Sequence, residues 1–111
     1  MTPMPTMEPE PTLGDILADL IDEATDVTTP VDREYARADV VFAARPAENV
    51  MELRLGDEIA EAAMGTPDAG PSSRGTAWVR FSPAEWDDHA FDRLEAWFRV
   101  AWRLAGSQGR G

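Results

Sequence analysis

Leu13, Ile16, Leu17, Leu20, Ile21 and Ala24 recur at three- and four-residue intervals, and Asp15, Asp19, Asp22 and Glu23 fill the gaps. Such spacing lines apolar side chains along one helical face and carboxylates along the other. The pattern predicts a helix that opens at Thr12, where a hydroxyl followed by Asp15 resembles an N-terminal cap. Gly14 in the first turn works against it. The helix should fade near Asp26, because Val27-Thr28-Thr29-Pro30 joins β-branched residues to a proline that restricts its predecessor.

The period then changes. Tyr35-Ala36-Arg37 leads into Asp39–Ala44, a short apolar strand, and Arg45–Asn49 reads as a turn. In Val50–Leu55 the residues Met51, Leu53 and Leu55 point one way, and Val50, Glu52 and Arg54 the other. The two strands form an expected antiparallel hairpin whose Glu52/Arg54 face is wet. Asp57–Met64 follows Gly56 as a short helix with carboxylates in its first turn, and Gly65 is expected to end it in a left-handed conformation. Thr66–Gly75, rich in proline, glycine and serine, reads as an exposed loop. Thr76–Phe81 alternates again, with Ala77, Val79 and Phe81 on one side and Trp78 and Arg80 on the other. Ser82-Pro83-Ala84-Glu85 has the spacing of a capping box with proline in the first helical turn. A helix is predicted from there to about Ala105, where Gly106 stops it, with Phe91, Leu94, Trp97, Phe98, Ala101, Leu104 and Ala105 inward.

The predicted fold is α+β: a small antiparallel sheet packed on one face by helices, in the order helix-strand-strand-helix-strand-helix. One domain is expected over 12–105, with tails at 1–11 and 106–111. A chain of 111 residues supports one core and not two.

Composition narrows the chemistry. There is no cysteine, which removes thiolate nucleophiles, disulfides and Cys-ligated metals together. There is no lysine either, hence no Schiff-base or phosphate-loop lysine. The net charge is −11, and all of it lies in residues 1–61, since 62–111 hold six acidic side chains and six arginines. That field repels a phosphate backbone, so nucleic acid is not an expected partner. Met1–Pro11 has four prolines and no basic residue, unlike a secretory signal, and no window is apolar enough for a membrane span. The expected location is the cytoplasm.

The segment Val50–Glu61, together with the Gly75–Phe81 strand and the long helix after it, resembles the small YjbR/MmcQ-like proteins. It is similar also to the related short "luciferase-domain" proteins of actinobacteria. The likeness covers roughly residues 38–104 and implies a compact α+β domain without placing a catalytic residue. YjbR-like proteins have been linked to DNA binding by their shape, alongside basic side chains. This chain departs from them in having no lysine and a charge of −11.

Three groups of residues carry candidate chemistry. In Ser72-Ser73-Arg74-Gly75, Ser73 and Arg74, joined by Arg80, are suited to a phosphate or carboxylate ligand. Trp78, Arg80 and Trp86 offer the aromatic and guanidinium surface that protein interfaces favour. Asp87, Asp88, His89 and Asp92 bring possible metal ligands and the only histidine to one helix start, but helix electrostatics already account for carboxylates there. No metal or cofactor is expected. The reading that results is a small acidic, non-catalytic protein-binding or adaptor domain, with a protein partner or self-association. Its alternative is a ligand-binding protein or enzyme using the Ser72–Arg74 loop, Arg80 and His89.

Overall fold

The computed structural model describes residues 12–24, 26–30 and 33–108. The expected tail 1–11 and the last three residues, 109–111, lie outside them.

Helix α1 (Leu13–Glu23) begins as its sequence implies. The Asp15 amide donates to the Thr12 hydroxyl at 3.2 Å and the Thr12 amide donates back to the Asp15 carboxylate at 3.0 Å, closing a capping box. Hydrogen bonding by Thr12, first through its amide and then through its side chain, holds the Asp15 carboxyl below its ordinary value. Leu13, Leu17 and Leu20 are the residues α1 buries.

Six strands follow, where three were expected: β1 (Val27–Thr28), β2 (Glu34–Arg37), β3 (Val40–Ala47), β4 (Val50–Arg54), β5 (Ala69–Ser72) and β6 (Gly75–Phe81). They form one sheet in the order β1-β2-β3-β4-β6-β5, and every neighbouring pair is antiparallel. The sheet is therefore larger than its apolar runs suggest. β1 has two residues and β5 contains Gly70 and Pro71, so neither has the alternating apolar signature of a buried strand.

Two-residue turns close three of the hairpins, β2–β3, β3–β4 and β5–β6. Between β2 and β3, Ala38 and Asp39 both have positive φ, +50° and +63°. That backbone matches the twist of paired strands, as in a type I′ turn. Between β3 and β4 the expected five-residue turn shrinks to Glu48-Asn49, because Arg45 and Pro46 remain in the strand. The Arg45 guanidinium clamps the Glu48 carbonyl through Nε and Nη2 at 2.9 and 2.6 Å. β5 and β6 close over Ser73-Arg74, inside the segment expected to be a loop.

Helix α2 (Asp57–Met64) crosses from β4 to β5, so that β6 slots between two parallel strands. Gly56, at φ +85°, makes the turn into it. Gly65 does not leave the helix in the left-handed region; its φ is −77°. Thr66 explains the difference, because its hydroxyl donates to the Ala63 carbonyl at 2.6 Å and satisfies that end of the helix.

The last helix, α3 (Asp88–Gln108), starts later than Ser82 and runs past Gly106. The Ser82 amide donates to the Asp68 carbonyl at 3.0 Å, which extends the strand and removes the donor a capping box requires. Asp87 takes over as cap, its Oδ1 accepting from the Ala90 amide at 2.9 Å.

All three helices lie over one face of the sheet and share one apolar cluster with it. Leu13, Leu17, Phe42, Met51, Leu53, Leu55, Val79, Phe81, Leu94 and Phe98 are its fully enclosed large side chains. Phe42 meets Phe98 edge-on at 5.3 Å, and Phe81 meets Trp97 edge-on at 5.0 Å, locking α3 against the middle strands. No helix among the described residues is long and apolar enough to cross a membrane.

Candidate functional site

The opposite face of the sheet carries no helix among the described residues. Strand register sets a row of residues across it: Glu34 on β2, Ala44 on β3, Glu52 on β4, Arg80 on β6 and Gly70 on β5. Next to this row, Arg54 faces Trp78.

Glu52 occupies the centre, and it is only 4% exposed, contrary to the expected wet face. A carboxylate enclosed to that degree needs partners for its charge. The Ser72 hydroxyl donates to Oε2, and Arg74 Nε donates to Oε1 at 3.3 Å. Arg74 also reaches Glu34, donating from Nη1 to Oε2 at 2.7 Å. Ala44 stands between the two carboxylates in the row, and its small side chain leaves room for the arginine to bridge them. The Ser72 oxygen accepts in turn from the Arg74 amide at 3.1 Å, fixing the turn that delivers the guanidinium. Burial works against the charge of Arg74, but the hydrogen bonds and attraction of Glu34, and then of Glu52, outweigh it and raise its pKa above the ordinary value.

This network is closed on itself. Arg74, expected to be a ligand-binding cation, directs Nε to Glu52 and Nη1 to Glu34, and its guanidinium lies 5.2 Å from the Trp78 ring. Ser72 and Glu52 satisfy one another. No buried side-chain nitrogen or oxygen lacks a partner among the described residues. Ser73 is exposed at the tip of the turn. Arg80 differs: it is exposed beside Glu52 and makes no ion pair or hydrogen bond among the described residues.

The two tryptophans expected at an interface are mostly occupied. Trp78 is 8% exposed, roofed by Arg74. Trp86 is on the helical side of the molecule, donating Nε1 to the Asn49 carbonyl at 3.0 Å, stacked on Phe91 and edge-on to Phe81.

His89 does not join Ser72, Arg74 and Arg80. It lines a shallow depression with Asp68, Pro83, Glu85 and Arg93 at the start of α3. Among the described residues no three histidine, aspartate or glutamate side chains are placed to hold a metal ion. Asp87 is taken by its cap, and Asp88 and Asp92 are exposed along the helix.

The buried centre of this site was not legible in the chain. Glu34 is absent from any sequence pattern, and Glu52 looks like the polar half of an alternating strand. A glutamate flanked by Met51 and Leu53 is ordinary until β6 and the Ser73-Arg74 turn are set beside it.

No protein-family model matches this chain, and neither does any curated protein or solved structure. The functional reading therefore rests on the residues themselves.

Proposed function

We propose that this is a small, acidic, non-catalytic protein-binding domain, and that its helix-free sheet face is the binding surface. One observation carries the reading: Arg80 stands exposed in the middle of that face with no ion pair or hydrogen bond among the described residues, beside a Glu52 that is already partnered by Ser72 and Arg74. A platform whose buried carboxylate is already partnered and which presents an exposed guanidinium suits recognition. Reaction chemistry would instead require a base or nucleophile left available in a concave site, and Ser72 and Glu52 hold one another on an open sheet. Gly70, the neighbour of Arg80 on β5, keeps the approach clear, since a Cβ there would meet nothing within 4 Å.

That opening gives a direct test. A photo-cross-linking residue at Gly70 should capture a defined protein, or a second copy of this chain, and Arg80→Glu should abolish the capture without changing the melting temperature. Capture that persists in Arg80→Glu, or the absence of any specific product, would remove this face as the binding surface.

A further inference from the structure

Where α1 ends, a groove opens between it and α3. Leu20 and Ala24 form one wall and Phe98 and Trp102 the other, and Glu23, Arg99 and Arg103 stand at the rim around about 230 Å³. The cause is length: α1 stops at Glu23, beside Arg99, while α3 continues to Gln108, so the last turns of α3 outrun their partner.

The charges at this rim are unequal. Arg99 is engaged, at 2.6 Å from Glu95 and 3.6 Å from Glu23. Arg103, one helical turn further along the same face, is exposed and makes no ion pair or hydrogen bond among the described residues. Arg37 holds the Trp102 wall in place, its guanidinium 3.6 Å from the Trp102 ring centre and its Nη1 donating to the Trp102 carbonyl at 3.1 Å. Gly106 allows that approach, because a Cβ there would lie 2.6 Å from Arg37 Cζ. Among the residues lining the groove, two guanidiniums thus stand against one carboxylate, in a protein whose net charge is −11.

We propose that this groove binds a small amphiphilic anion, an apolar chain or ring ending in one carboxylate. The apolar walls take the body, and Arg103 takes the carboxylate in a charge-assisted pair that a neutral ligand would leave unmade. A cation would meet the excess of guanidiniums and be repelled. Size sets a second limit. Ordinary ligand pockets enclose roughly 300–1,000 Å³, so this one holds a single short chain or ring and excludes a dinucleotide or a whole lipid. The site lies on the helical side and is independent of the sheet face that carries Arg80.

Octanoate is a suitable probe, used below its micelle concentration on protein labelled with 5-fluorotryptophan. The chain has four tryptophans, and Trp102→Phe assigns the resonance that matters. Octanoate should shift the Trp102 fluorine signal saturably and leave Trp78 still. Arg103→Ala should weaken the binding roughly tenfold, and octanamide should bind more weakly than octanoate by a similar factor. Arg80→Glu should leave the titration unchanged, which separates this proposal from the preceding one. A Trp102 signal that does not move, an equal shift in Arg103→Ala, an equal response to octanamide, or a uniform drift of all four signals would each overturn it.

Discussion

Arg74 shows how one side chain makes a buried charge tolerable. Taking a carboxylate out of water costs several kcal/mol unless cations and donors replace its hydration, and Glu52 receives both from the Ser72–Arg74 turn. Glu34 supplies the second carboxylate that keeps the guanidinium in place. Arg74→Ala would leave Glu52 enclosed with the Ser72 hydroxyl alone. Because the arginine is itself about one-third exposed, water can partly replace it. A loss of about 1–2 kcal/mol in urea unfolding is expected. Converting the stranded carboxylate with Glu52→Gln in the same chain should recover part of it. If the double variant is no more stable than Arg74→Ala, the arginine acts through packing on Trp78 instead of through charge.

At the scale of elements, the turns carry more strain than the helices or strands. Thr12 and Asp15 cap α1 from both directions, as that spacing implies, and Asp87 caps α3. The β2–β3 connection is different, since Ala38 sits at φ +50° with no side chain able to offset the left-handed backbone. An L-residue there costs roughly 1–2 kcal/mol relative to the right-handed region. Glycine meets no such penalty but loses more chain entropy on folding. Ala38→Gly should therefore raise stability by a net of about 0.5 kcal/mol, and Ala38→Asn by a similar amount. Thermal melts would show it as a small rise in Tm, and a fall would mean that Ala38 contributes packing that its exposed position hides. The helices were legible in the chain because the 3.6-residue period is local and needs no partner to be recognised. Of their caps only that at Thr12 was legible, since the Ser82 amide is drawn into the strand by Asp68 and α3 runs past Gly106. β1 and β5 were not, because a two-residue strand and one containing glycine and proline exist only through the neighbour they pair with.

Across the whole molecule, charge and burial are sorted by layer. Asp19, Asp22 and Glu23 on α1, Asp57, Glu58 and Glu61 on α2, and Asp88 and Asp92 on α3 are all exposed, so the outside of the helical layer is acidic. The sheet face instead mixes the signs, setting Arg54, Arg74 and Arg80 beside Glu34 and Glu52. At −11 the compact state repels itself, and salt screens that repulsion over a Debye length of roughly 10 Å at 0.1 M. The urea midpoint should thus climb as sodium chloride is added from low ionic strength. A steady fall would show that the ion pairs of Arg74 and Arg99 outweigh the global repulsion. The amino-acid sequence alone determined the class of fold, α+β with helices on one face of an antiparallel sheet, along with the three helices, the inward faces of β4 and β6, and the acidic surface. Periodicity and composition are properties of neighbouring residues, so they survive without a structure. Only the tertiary structure decided that the described residues form a six-stranded sheet, that Glu52 is buried while Arg80 is exposed, and that α3 outruns α1 beside Trp102. Each of those depends on strand register or helix length, which bring together residues as distant as Glu34 and Arg74, and no local pattern encodes that proximity.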